Sequence, residues 1–242
     1  MSMIIFFPFP FLMTSSSPII IIKYVIQFEC YKMIQTERLK EGFNMNEMNI
    51  SLFRAINDLG FEYPSLNTPF IFIAEYTVIL LALMTLFYWF TRTEKNRYMV
   101  MTAGFAFILA EIIGKLAGKL HFNYQPFVEL SNVNFLIEKA ANNSFPSDHT
   151  ILFFAFCVAF WLYNKKNILW LLIAVLVGVS RIWVGVHYPF DVITGALIAT
   201  LCAIAMYFLL PRMPIVRRLL DVYENIEEKV IPRKRKQKDL DQ

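Results

Sequence analysis

Five apolar stretches, near residues 69–91, 98–120, 147–164, 168–187 and 190–210, each approach the length a helix needs to cross a bilayer. A hydrocarbon core of about 30 Å takes about 20 helical residues, and inside it every backbone N–H and C=O has to be satisfied within the protein. A chain built this way is expected to fold as an all-α, polytopic membrane helix bundle. Bulk composition agrees, because 57% of the 242 residues are hydrophobic, 17% are charged and the mean hydropathy is +0.49, well outside the soluble range. Cys30, Cys157 and Cys202 share no CxxC spacing, and the last two lie in apolar runs. Neither a disulfide framework nor a cysteine metal site is expected.

The loops orient the spans. "TRTEKNR" (91–97), "NKKN" (164–167) and "PRMPIVRR" (211–218) are basic, whereas loop 121–146 carries only Glu129, Glu138 and Lys139 as charges. By the positive-inside tendency the basic loops are cytoplasmic, so 121–146 and 185–190 face outward. The net charge of +4 is therefore a matter of membrane orientation and lipid contact, and no nucleic-acid partner is expected. Met48, Leu52, Phe53, Ile56 and Leu59 form one helical stripe, which predicts a short N-terminal helix lying in the interface. Ile215, Leu219, Val222 and Ile226 form another, ahead of "RKRKQK" (233–238), so 212–242 is expected to be a cytoplasmic, basic, amphipathic tail contacting membrane lipids or solvent.

Within residues 1–44, "IIFFPFPFLMTSSSPIIII" (4–22) is apolar but broken by three prolines and a serine run, with no basic stretch ahead of it. It makes a poor signal peptide and a mediocre sixth span. "KEGFNM" (40–45) can be encoded with a purine-rich ribosome-binding sequence just before a Met codon, which predicts a natural start at Met45 or Met48. The other reading is a weakly structured extension. The expected division is thus 1–44 as leader or extension, 45–211 as the membrane domain and 212–242 as the tail.

Topology brings two polar segments together. If the third span runs inward, the fourth returns and the fifth descends, then "NNSFPSDHT" (142–150) and "SRIWVGVHYPFD" (180–191) meet at one membrane face. His149, His187, Arg181 and Asp191 converge there. An arginine near hydrocarbon costs a few kcal/mol unless it snorkels or finds an anion. Asp191, four residues after His187, can accept the Nδ1 proton and leave Nε2 free as nucleophile or base, or the pair can simply cap the fifth span, where Pro189 suits a first helical turn. Ser147 and Asp148 suit helix capping; beside Arg181 the same helix start becomes an anion cradle, with His149 placed to donate a proton. The third histidine, His121, lies in the outer loop. Arg181 opposes a cation and no HxxxH or HExxH spacing occurs, so no metal site is expected. Glu75 and Glu111 fall within spans and are assigned no catalytic role.

"PSDH" (146–149) and "SRIWVGVHYPFD" resemble the second and third signature motifs of the type 2 phosphatidic acid phosphatase family, Pro-Ser-Gly-His and Ser-Arg, five residues, His, three residues, Asp. The aspartate at 148, within "FPSDHT", together with "RIWVGVHYP", is similar to the bacterial undecaprenyl-diphosphatase branch associated with bacitracin resistance. The resemblance runs from about Met45 to the end of the fifth span. It implies metal-independent, cofactor-free phosphate cleavage through a phosphohistidine, with His187 as nucleophile, Asp191 as its orienting partner, His149 as general acid, and Arg181 and Ser147 as phosphate ligands. Asp148, Lys119 and Gln125 complete the expected phosphate-binding set. The family's first motif, Lys, six residues, Arg-Pro, is degraded: "KLHFNYQPF" keeps Pro126 but has Gln125 in place of the arginine, and Lys119 stands one residue too close. Either Lys119 or Lys115 reaches in to replace the lost charge, or both only snorkel. The implied substrate is a polyprenyl diphosphate lipid and the implied place the bacterial plasma membrane, with the site facing outward. Alternatives are a phosphatidate or phosphatidylglycerol-phosphate phosphatase, and a weakly active or non-catalytic homologue.

Overall fold

The computed structural model describes residues 46–232. Expectations for 1–44 and for the basic run 233–238 lie outside the described residues. The chain divides into two compact units, 1–48 and 49–242; of the first, 46–48 are described, as the opening turn of helix α1 (46–57). Then follow α2 (Asn67–Glu75), α3 (Thr77–Phe90), α4 (Glu94–Leu120), α5 (Asp148–Tyr163), α6 (Leu169–Trp183), α7 (Pro189–Leu209) and α8 (Pro214–Val230). Among the described residues the only pairing of extended backbone is an isolated bridge between Tyr124 and Asn143.

Small side chains let the central helices approach closely. Ala106 and Ala110 on α4, Ala155 on α5, and Ala199 and Ala203 on α7 are fully buried in one shared cluster, the packing mode expected where lipid supplies no hydrophobic drive between helices. At Gly195 a Cβ would stand 3.0 Å from the Ser147 carbonyl, so the start of α5 sits directly on α7. Aromatic rings fill the opposite side of α5, with Phe160 edge-on to Trp170 of α6 and to Tyr88 of α3. The outward faces remain apolar: Leu83, Leu116, Leu172 and Leu201 are all exposed. Such a surface suits lipid and not water. This is a membrane protein.

Its span lengths differ from the sequence expectation. Among the described residues Glu94–Leu120 and Pro189–Arg212 are long and apolar enough to cross a bilayer alone. The stretch expected as a first span over 69–91 is two helices bent by 43° at Tyr76. The third and fourth expected spans are helices of 16 and 15 residues, about 24 Å long at 1.5 Å per residue. The fourth was expected to reach residue 187 and stops at Trp183, because the chain from Val184 to Tyr188 turns back into the bundle.

Two amphipathic helices also differ in detail. On α1, Leu52 is exposed but Phe53 is fully buried, its ring edge-on to Tyr188 at 5.5 Å. Asn57 is buried as well and donates to the carbonyls of Asn134, Ile182 and Trp183. The helix is therefore clamped onto the site end of the bundle, beyond an interfacial role. α8 exposes Ile215, Leu219, Val222 and Ile226 and buries Val216 and Leu220. Its polar side is tied to the opposite end: Arg97 is buried against Glu224 and Glu227, and Trp89 donates to Tyr223 at 3.0 Å.

Candidate active site

Three helix ends meet where the polar segments were expected to converge. The Ser147 N–H donates to the Asp191 carbonyl at 3.2 Å, joining the start of α5 to the first turn of α7. After α6 the backbone folds back over Arg181, whose carbonyl accepts from the N–H groups of Val186 (3.2 Å) and His187 (3.3 Å). Gly185 makes that reversal with φ +83°. A Cβ there would be strained by the backbone angle and would lie 2.9 Å from the Asn134 carbonyl. Loop 121–146 closes over the site, held by Asn143 donating to the Gly118 carbonyl at 2.8 Å and by the Leu136 N–H donating to the Val184 carbonyl at 3.3 Å.

His187 is buried, and both ring nitrogens are engaged. Nδ1 lies 2.9 Å from the Ser144 carbonyl, an acceptor that requires the proton on Nδ1 and leaves the Nε2 lone pair available. Nε2 stands 2.8 Å from Lys139 Nζ. Asp191 does not take the Nδ1 proton directly, as the four-residue spacing had suggested; its Oδ2 is 3.6 Å away, beyond hydrogen-bonding range. Instead Asp191 accepts from the Ser144 hydroxyl and from the Tyr188 N–H at 2.8 Å. The carboxylate thus caps α7, which Pro189 opens, and holds the residue that orients the imidazole. Burial foremost, with the Lys139 ammonium opposing Asp191, pushes the His187 pKa down to about 4.

A cavity of about 250 Å³ opens beside these groups, lined by Glu75, Ile137, Glu138, Lys139, His149 and Arg181. Arg181 is 3% exposed, so its charge cannot simply snorkel to water. One terminal nitrogen donates to the Ala74 carbonyl at 2.8 Å, while Nε is buried with no hydrogen-bond partner. An orphaned guanidinium donor beside an open cavity suits an anionic occupant. His149 faces the same space, within electrostatic reach of Arg181, Lys139 and His187. Burial, then Arg181, lowers the Lys139 pKa to about 8. Among the described residues no three of His, Cys, Asp and Glu gather as a metal ion would need.

Of the residues expected to bind phosphate, only Arg181 lines the cavity. Ser147 opens α5 but neither caps it through its side chain nor faces the cavity; it is buried, its hydroxyl accepting from Thr150 at 3.0 Å. Asp148 is exposed and does not line the cavity, though it lies within electrostatic reach of Lys139 and Arg181. Lys119 is exposed near the end of α4, and Lys115 is exposed and sits 3.9 Å from Glu111. Gln125 is fully buried and spends its amide on the neighbouring loop: it donates to the Ala140 carbonyl (3.3 Å) and to Asn142 Oδ1, and accepts from the Asn142 N–H at 3.0 Å. Three residues escaped the sequence reading. Lys139 had one signal, as the sole lysine or arginine in loop 121–146. Ser144 had none, since its part is played by a backbone carbonyl. Glu75 was seen as a costly carboxylate within a span but assigned no catalytic role; it lines the cavity.

The PAP2 superfamily model matches residues 100–213. The chain is 51% identical over 197 residues to a bacitracin transport permease protein BcrC of Bacillus licheniformis, covering 81% of this chain and 97% of that one. It is 37% identical over 187 residues to the undecaprenyl-diphosphatase BcrC of Bacillus subtilis (strain 168), covering 76% and 95%. The crystal structure of a transmembrane PAP2 type phosphatidylglycerolphosphate phosphatase from Bacillus subtilis superposes with a TM-score of 0.53 at 19% identity, over 78% of this chain and 96% of that chain. That likeness concerns the fold alone.

Proposed function

This chain belongs to the PAP2 superfamily, and from that premise we propose that it is a membrane hydrolase converting undecaprenyl diphosphate to undecaprenyl phosphate. The observation that carries the reading is the His187 imidazole, its Nδ1 committed to the Ser144 carbonyl and its Nε2 turned toward Lys139, a lining residue of the cavity shared with His149 and Arg181. Binding alone needs neither an oriented nucleophile nor a second imidazole.

His187 Nε2 attacks the terminal phosphorus, forming an N–P bond as the bridging P–O bond breaks. Arg181 and the first-turn N–H groups of α5 stabilise charge on the equatorial oxygens. The lipid monophosphate leaves with a proton from His149. Water then attacks the phosphohistidine, giving its proton to His149, and inorganic phosphate departs with His187 restored. The lipid tail lies against the apolar outer faces. The protein sits in the bacterial plasma membrane with the site outward, because the helix ends away from the site carry Arg97, Lys165, Lys166, Arg217 and Arg218. On that side a carrier lipid released as diphosphate is returned to the monophosphate form for reuse in cell-wall synthesis.

The test is phosphate release from undecaprenyl diphosphate by purified protein in detergent with excess chelator. Release is expected from the native chain and is expected to vanish in His187→Ala. Full release by that variant would remove the nucleophile assignment.

A further inference from the structure

Within the phosphatase function proposed above, on which this step rests, we infer that Lys139 supplies the phosphate-gripping charge that Gln125 cannot, and that Gln125 is the positioning residue for Lys139. A diphosphate attacked at its terminal phosphorus carries several anionic oxygens into the cavity. Arg181 is the other cation lining it, and one arm of that guanidinium is already committed to the Ala74 carbonyl. A second cation is needed on the side facing the nucleophile. Lys139 Nζ occupies that side, 2.8 Å from the attacking nitrogen.

An ammonium hydrogen-bonded to Nε2 would block attack if it stayed. It need not stay, because a phosphoryl group arriving in line with Nε2 brings oxygens that are better acceptors for an ammonium than a neutral imidazole is. Lysine is suited to that transfer, being a flexible point charge that can move from nitrogen to oxygen without the fixed fork of arginine. Until then the contact keeps Nε2 unprotonated and aimed at the cavity.

Gln125 enters through the backbone. Its side-chain amide makes three hydrogen bonds to residues 140 and 142, directly after Lys139. A neutral, fully buried amide can pin that loop, whereas a guanidinium in its place would bring an unpaired charge into a buried setting. The cation is thus carried by the loop, and its anchor stands where the family motif has arginine.

The groups facing Lys139 are His187, His149, Arg181, Asp148, Asp191, Glu75 and Glu138. The experiment measures kcat/KM on undecaprenyl diphosphate across pH, and binding of inorganic phosphate, for the native chain, K139A, K139R, Q125A and K139A/Q125A. Losing one charge-assisted phosphate contact predicts a fall of about 30-fold in kcat/KM for K139A and weaker phosphate binding. K139R is expected to keep more activity than K139A and to lack the alkaline decline near pH 8 that a titrating lysine gives the native chain. The acid limb of K139A is expected to move upward, since no ammonium then opposes protonation of His187. Because Gln125 acts through Lys139, K139A/Q125A is expected to be no worse than K139A.

K139A within about twofold of native activity and phosphate binding would overturn the assignment of Lys139. Losses that multiply in K139A/Q125A would overturn that of Gln125. A native chain that binds inorganic phosphate through Lys139 yet releases none from the lipid would instead sink the phosphatase function and leave the site of the cation standing.

Discussion

His187 is held by a backbone carbonyl, and that choice of acceptor has kinetic consequences. Substituting Ser144 cannot remove the carbonyl that fixes the Nδ1 tautomer; it removes the hydroxyl, which donates to Asp191 and lies 3.3 Å from Nδ1. Ser144→Ala is therefore expected to lower kcat by about tenfold, the equivalent of one modest hydrogen bond, with KM nearly unchanged. A loss as large as that of His187→Ala would mean that the hydroxyl holds the ring. The pH profile follows from the same surroundings. The proposed attack needs neutral His187, and burial holds its pKa near 4, so kcat/KM should persist as pH falls through 6.5, the ordinary histidine value, and decline only near pH 4. An acid limb centred near 6.5 would show the imidazole to be better solvated than its burial implies.

The short helices follow from the site they serve. α6 stops at Trp183 because Gly185 reverses the chain, and the reversal puts His187 behind Arg181 instead of a turn beyond it. Gly185→Ala should cost about 2 kcal/mol from backbone strain, and more as the Cβ pushes on the Asn134 carbonyl. Both a lower melting temperature and reduced phosphate release are expected in one variant. Arg97, at the other end, separates the two effects. It is buried between Glu224, Glu227 and the rings of Trp89 and Tyr223, and truncating one partner of such a cluster costs about 3 kcal/mol. Arg97→Ala should therefore lower the melting temperature while the folded fraction keeps its kcat. What was legible beforehand divides along the same line. Apolar length and the places of "NNSFPSDHT" and "SRIWVGVHYPFD" at the span ends put His149, His187 and Arg181 at one face, because helical repeats and strict chain order constrain them. The bend at Tyr76 and the path of loop 121–146 were not legible. The path of the loop depends on pairings distant in sequence, such as Asn143 with Gly118 and Gln125 with Asn142, which no local periodicity reports.

Orientation in the membrane is a property of charge placed across the full height of the bundle. α5 leaves the site and ends at Tyr163, so Lys165 and Lys166 lie at the far end, as does Arg97 at the start of α4 with α8 packed on it. Lysines and arginines at one end, and a loop holding only Lys139 at the other, predict that the site end is translocated. Single cysteines can read this directly. Cys157 and Cys202 are buried and should resist labelling, and Cys30→Ser removes the remaining native thiol. In that background Ser131→Cys and Lys166→Cys place exposed thiols at opposite ends. A membrane-impermeant maleimide added to intact cells should label Ser131→Cys, and should reach Lys166→Cys only after the membrane is opened. The reverse pattern would turn the site toward the cytoplasm, where a carrier lipid released outside could not reach it without first crossing the bilayer.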